Sequence, residues 1–214
     1  MTTTATTAQT LFSYLTFEAT REQAESLYHL EEFLDVECGG DVFILRGAAG
    51  TGKTSLVKAI VDYLEAHEIP CFLSAPTGRA AKVLGHKTRS IAHTIHHTIY
   101  RVVPTDDETV VMERRARPNS LLTDLVAYIK EGNPRNKIAF IGDRYQLAPV
   151  HEAESVALNL RYIAGRHNLT GRQAELSEVK RQAGQSPILA MAHDIRRRSD
   201  EGRALGKLQP LPVL

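Results

Sequence analysis

The 214-residue chain has no tryptophan, two cysteines and three methionines, and it has almost no net charge. Cys38 and Cys71 stand far apart without CxxC-type spacing. That excludes a disulfide framework and a zinc knuckle, and it suits a reducing cytoplasm. With 26 Lys and Arg against 25 Asp and Glu, the +1 balance names no partner. Any contact with a polyanion must come from a local patch. The start, MTTTATTAQT, lacks a basic segment and an apolar segment, and nowhere do roughly 18 apolar residues run together. The expectation is a protein that is neither exported nor membrane-spanning. Residues 1–17 are expected to be a flexible tail and lead-in, 18–200 a single domain, and 201–214 an extension.

What is present is enough apolar residue, 43%, for one substantial core. From Glu18 to Leu34, Leu27, Leu30, Phe33 and Leu34 recur at helical spacing, and Gly39 and Gly40 end the run. VFIL (42–45) is an all-apolar run of the kind a strand covered on both faces shows. A helical face follows at Leu56, Val57, Ile60, Val61 and Leu64. CFL (71–73) predicts a second strand, and SAPTGRAAKVL a helix with Pro76 in its first turn. Asn119 or Ser120 caps a helix carrying Leu121, Leu122, Leu125, Val126 and Ile129, closed by Gly132 and Pro134. IAFI (138–141) is a third buried strand, and Ile188, Leu189, Ala192 and Ile195 mark a late helix. Alternating strands and helices predict an α/β fold, a doubly wound, mainly parallel sheet with helices on both faces and ligands at the carboxyl ends of its strands.

Between the first strand and its helix lies GAAGTGKTS (47–55), which matches GxxxxGK[ST] at every fixed position. Backbone N–H groups of Gly47, Ala48, Gly50, Thr51, Gly52 and Ser55 can surround phosphate oxygens. Lys53 reaches the outer phosphates, and Thr54 can ligate magnesium. The implied ligands are ATP and Mg2+. An ordinary glycine turn would have no use for Lys53 and Thr54 in that order. Hydrolysis further needs a strand-end carboxylate. Asp143, after IAFIG, and Glu113, after TVVM (109–112), are the two available.

The series of segments resembles a superfamily 1 DNA helicase of the RecD-like group, in its first (N-terminal) motor ATPase domain, a RecA-like P-loop NTPase. GAAGTGKT resembles Walker A, SAPTGRAAKVL motif Ia, TIHHTIY (94–100) motif Ib, FIGDRYQLAPV (140–150) motif III, and ELSEVKRQ (175–182) motif IV. By that resemblance Gln23 reads the adenine edge, Gln146 contacts the γ phosphate, and Arg181 lays a guanidinium on it. The departure is Walker B, because no apolar strand here ends in Asp-Glu. Alignment back from LLTDLVAYI puts Met112 at the metal aspartate and Glu113 at the catalytic glutamate. Glu113 is then either a working base or an exposed glutamate beside arginines. The stretch from Tyr100 to Leu121 is short for the group, as a segment missing near Ala116 and Arg117 would make it.

From Arg79 to Arg101 the chain is rich in Arg, Lys and His and nearly free of acids. This is the local patch that the net charge conceals. Pro76, Thr77, Gly78 and Arg79 open a helix whose N–H groups can hold a single-strand phosphate. Thr94 and His96 can hold the next one, and His97 or Tyr100 can stack a base. The partner expected is single-stranded DNA, bound through its backbone. The expected function is an ATP-dependent motor domain, a DNA-stimulated ATPase coupling ATP to DNA binding and translocation. The chain ends before a second motor domain would fit, which predicts a fragment of a longer helicase that works with a further domain or a partner protein. The alternative is a nucleotide-dependent DNA-binding switch with little hydrolysis, since Asp-Glu is not evident.

Overall fold

The computed structural model describes residues 10–35, 40–100, 102–104, 110–112, 120–146, 155–178, 191, 194–195 and 197–198. A one-turn 3-10 helix, Leu11–Tyr14, precedes α1 (Arg21–Leu34). There follow β1 (Val42–Gly47), α2 (Lys53–Ala66), β2 (Leu73–Ala75), α3 (Gly78–Thr88), β3 (Ala92–Thr94) and α4 (Ile95–Ile99). A short hairpin comes next, β4 (Val102–Pro104) and β5 (Val110–Met112), then α5 (Ser120–Gly132) and β6 (Ile138–Gly142). A 3-10 turn at Val156–Leu158, α6 (Leu160–His167) and β7 (Gly171–Leu176) complete the order. No helix among the described residues is long and apolar enough to cross a membrane. The late helix expected around Ile188 lies mostly outside the described residues.

β1 is the centre of a parallel three-stranded sheet ordered β6-β1-β7. Its alternation divides the core. Phe43 and Leu45 point to one face, where they meet Leu27, Leu30 and Phe33 of α1 and Leu56 of α2. Val42 and Ile44 point to the other, against Val126 of α5, Ile138 and Ile163 of α6. Helices therefore cover both faces, and the all-apolar VFIL is buried throughout as expected. The expected lead-in also joins the core. Leu11 is fully buried, its N–H donates to Glu31 Oε1 at 2.6 Å, and Tyr14 sets its ring edge-on to Tyr63.

One sheet was expected, and the described strands instead divide among three. Among the described residues β2 pairs only with β3, in parallel, and β4 only with β5, antiparallel. The second strand also sits two residues later than CFL, because Phe72 stays 86% exposed and only Leu73 to Ala75 find a partner. β6 differs in the same way. IAFI was expected to be covered on both faces, yet Ala139 and Ile141 are exposed. Among the described residues no strand pairs with the edge of β6 away from β1.

Candidate nucleotide site and nucleic-acid face

The turn between β1 and α2 is shaped by glycines at two positions. Gly52 is the N-cap of α2 with φ +88°, a left-handed conformation that residues with a Cβ adopt at a cost. A Cβ there would stand 2.4 Å from Gln23 Nε2. Gly47 is closed in by contact instead, with Thr51 Oγ1 and the Leu176 carbonyl 2.8 and 2.9 Å from where its Cβ would be. Thr51 is fully buried, and its hydroxyl donates to the Ala48 carbonyl at 2.9 Å. Lys53 Nζ donates to the carbonyls of Gly47 (2.6 Å) and Ala48 (2.7 Å), so its charge is held over the mouth of the loop. Thr54 and Ser55 follow in the first turn of α2, Ser55 exposed and Thr54 half-buried. Gly50, also at positive φ, completes the bend.

Gln23 lies under this loop. It is 1% exposed, its Oε1 accepts from Thr20 N–H at 3.0 Å in a capping box, and its Nε2 donates to the Thr51 carbonyl at 2.9 Å. The residue expected at the adenine edge is thus tied to the loop itself. Asp143 is the residue after β6, whose last paired residue, Gly142, stands in register with Arg46 of β1. It is 8% exposed and accepts Tyr145 N–H at 3.0 Å. Gln146 closes that turn, donating its N–H to the Asp143 carbonyl, with its own side chain exposed.

The second strand-end carboxylate does not join this group by way of its strand. Val110–Met112 belongs to the hairpin with Val102–Pro104, not to the sheet of β1. Glu113 and Arg181 themselves lie outside the described residues. Sequence reasoning missed a further anchor. Glu22 accepts from Ser177 N–H (2.7 Å), Glu178 N–H (2.8 Å) and the Ser177 hydroxyl, and so ties α1 to the end of β7. Burial pushes its carboxyl up, and these hydrogen bonds outweigh that, leaving it below its usual range. Its position beside Gln23 was the available signal.

The expected DNA-facing residues come together through β2 and β3. Parallel pairing sets Ala75 beside Thr94, so the starts of α3 and α4 leave the same end of the ribbon. Thr77 caps α3 by accepting Ala80 N–H at 3.2 Å, and Pro76, Gly78 and Arg79 are exposed around it. Thr94 caps α4, and the Ser74 and Thr98 hydroxyls link β2 to that helix at 2.9 Å. His93 stacks on His97 with ring centroids 4.5 Å apart, and His96 lies against Tyr100 at 5.6 Å. Tyr100 also donates its hydroxyl to Asp124 of α5 at 2.7 Å, so its ring is held by one end.

Comparison with known proteins gives this geometry a context. A family model described as "AAA domain" matches residues 19–210. The ATP-dependent RecD2 DNA helicase of Deinococcus radiodurans is 32% identical over 173 residues, which cover 76% of this chain and 22% of that protein. The ATP-dependent DNA helicase dda of Enterobacteria phage T4 is 32% identical over 168 residues, 71% of this chain and 37% of that one. The chain therefore spans well under half the length of these curated relatives. A solved structure, Pif1 helicase from Bacteroides in complex with ADP-AlF3 and ssDNA, matches 86% of this chain and 48% of its own at 17% identity, with a TM-score of 0.50. That likeness concerns the fold, a P-loop NTPase.

Proposed function

We propose, from the premise that this chain belongs to the AAA domain family and is a superfamily 1 motor domain of the RecD-like kind, that it binds ATP at Gly47–Ser55 and couples it to single-stranded DNA. The observation that carries this reading is the cradle. A glycine-shaped loop at the carboxyl end of a parallel sheet holds Lys53 at its mouth, and Asp143 follows the end of the neighbouring strand β6. Magnesium suits the donors, since Thr54 and Asp143 offer only hard oxygen atoms. When bound, the ion neutralises charge on the outer phosphates. Lys53 exchanges its two carbonyl partners for phosphate oxygens, Gln146 and Arg181 meet the γ phosphate, and Gln23 couples the base to the loop through Thr51.

DNA lies along the ends of β2 and β3. Pro76, Thr77, Gly78 and Arg79 take one phosphate, Thr94 and His96 the next, and Tyr100 stacks a base. These contacts address the backbone and are indifferent to sequence. Translocation belongs to a longer protein with a further helicase domain or partner, and the place of work is the cytoplasm. Phosphate release measured with and without single-stranded DNA, with Lys53→Ala as control, tests the reading. DNA-stimulated release abolished by the control supports it, and release indifferent to DNA or to Lys53→Ala refutes it.

One observation favours a second reading, a nucleotide-dependent DNA-binding switch with little hydrolysis. The strand aligned with Walker B is paired with β4 and is not in the described sheet that carries the cradle. Glu113 as base needs that strand beside β6. Tight nucleotide binding that alters DNA affinity without release of phosphate would select the switch, because losing the base impairs the transition state more than the ground state.

A further inference from the structure

We infer that Gln23 is a positioning residue for the phosphates: by holding the Thr51 carbonyl it sets the peptide plane between Thr51 and Gly52 so that the Gly52 N–H faces bound phosphate, and its amide does not touch the base. This rests on the nucleotide site given above and moves the work of Gln23 within it from the base to the phosphates. The side chain is closed off from any ligand. It is 1% exposed, its Oε1 accepts Thr20 N–H at 3.0 Å, and its Nε2 donates to the Thr51 carbonyl at 2.9 Å. Nε2 lies so close against the loop that a Cβ on Gly52 would stand 2.4 Å from it. A base edge could reach this amide only by parting α1 from the loop.

A trans peptide is planar, and its C=O and N–H point in opposite directions. The Thr51 carbonyl points at Gln23 of α1, so the Gly52 N–H, in the same plane, points the other way. Gly52 by itself would not keep that plane from turning over, because glycine takes positive and negative φ about equally and its +88° is one choice of two. A flipped plane would turn a carbonyl oxygen toward the phosphates, where a donor is needed. Gln23 opposes the flip from a fixed base. Its own N–H is capped by the Thr20 hydroxyl, and Leu27, Leu30 and Phe33 further along α1 share one buried core with Phe43 and Leu45 of β1. Helix and strand are thus locked together, and one amide spans from the helix to the loop that the strand leads into.

The test compares the affinity of the full chain for magnesium ADP with its affinity for magnesium pyrophosphate, which has phosphates and no base, both read by displacement of a fluorescent ADP. Gln23→Ala is expected to weaken both by the same factor, about tenfold. Gln23→Met, which fills the same space but cannot donate to the Thr51 carbonyl, does the same with the core left filled. Thr20→Ala removes the hydroxyl that caps Gln23 N–H and leaves the bond to Thr51, so it lowers Tm and keeps pyrophosphate affinity within about twofold. If the Gln23 variants weaken ADP and leave pyrophosphate unchanged, the amide serves the base, and the inference falls while the nucleotide site stands. Unchanged affinity for both ligands overturns it too, as does a Thr20→Ala loss as large as that of Gln23→Met, which would reduce the effect to the helix cap. A wild type that binds ADP but not pyrophosphate draws its affinity from the base and also overturns it. If the wild type binds neither, the nucleotide site itself fails and the inference fails with it.

Discussion

Replacing Gly52 by alanine strikes the nucleotide loop at two places, and the structure lets both be weighed. A Cβ at φ +88° occupies the left-handed region, at a cost of about 1–2 kcal/mol. The same Cβ would stand 2.4 Å from Gln23 Nε2, so the amide must move. Moving it breaks the 2.9 Å bond to the Thr51 carbonyl in a place where Gln23 is 1% exposed. A buried partner left unsatisfied costs a further ~1–3 kcal/mol. Together Gly52→Ala should destabilise by roughly 2–5 kcal/mol, or roughly 4–20 °C in Tm for a domain of this size. Because Gly52 also caps α2, nucleotide affinity should fall with it. Differential scanning calorimetry with and without magnesium ADP measures both effects. Gly165→Ala is the internal control. Gly165 lies inside α6, a Cβ there meets nothing within 4 Å, and the change should stabilise by about 0.5–1 kcal/mol. A Gly52→Ala protein that melts like the wild type and binds ADP as well would refute the account of the loop.

Asp41 fastens the opposite end of the sheet. It accepts from Lys130 Nζ at 2.6 Å and from the Thr170 N–H and hydroxyl at 2.9 Å each. Burial raises its carboxyl, and Lys130 and Thr170 outweigh that, leaving it below its ordinary 3.8. Its contribution is therefore complete above 3.8 and is lost as pH falls through the lower folded value. Asp41→Asn should lower Tm at pH 7, with the gap to wild type closing on acidification; a gap constant with pH would show that charge is not the cause. Tyr100 separates ring from hydroxyl. Tyr100→Phe loses the bond to Asp124 and about 1 kcal/mol of stability but keeps DNA affinity, whereas Tyr100→Ala should lose roughly 1–3 kcal/mol of single-strand binding. Fluorescence anisotropy with labelled oligonucleotides reads this, and equal losses in both variants would remove the stacking role.

The parts legible in the sequence are those where chemistry restricts the residue. The glycine loop was readable because its φ angles and close approaches demand glycine, and β1 because a strand covered on both faces must be apolar at every position. Where apolar type and burial part company, the reading slips. Phe72 and Ile91 stay 86% and 80% exposed, so the apolar run ending at Leu73 marked the start of β2 and not its extent. β7, GRQAEL, was missed entirely. Among the described strands it stands at the edge of its sheet, with exposed Arg172, Gln173 and Glu175, and only Leu176 and Ala174 meet the core. The Glu22 anchor was hidden for another reason, since partners 155 residues apart leave no local pattern.

The division of the sheet decides how nucleotide and DNA can communicate. In a continuous sheet, a shift at the phosphate loop passes from strand to strand through rigid hydrogen bonds. Here the ribbon of β2 and β3 has no described ladder to β6, and among the described elements helix pairs connect it to the main sheet. On one face α2, which begins at Lys53, packs on α3, which begins beside Thr77. On the other, α4 meets α5 through the Tyr100 hydroxyl and Asp124, while α5 rests its Val126 on Val42 and Ile44 of β1. Each helix proposed to face DNA thus has its own helical partner packed on β1 or following it. Packed helices slide by small steps more readily than a bonded ladder shears. Among the described elements those two helix pairs are the route for the coupling proposed for this chain, and weakening one of them should separate DNA binding from nucleotide binding without abolishing either.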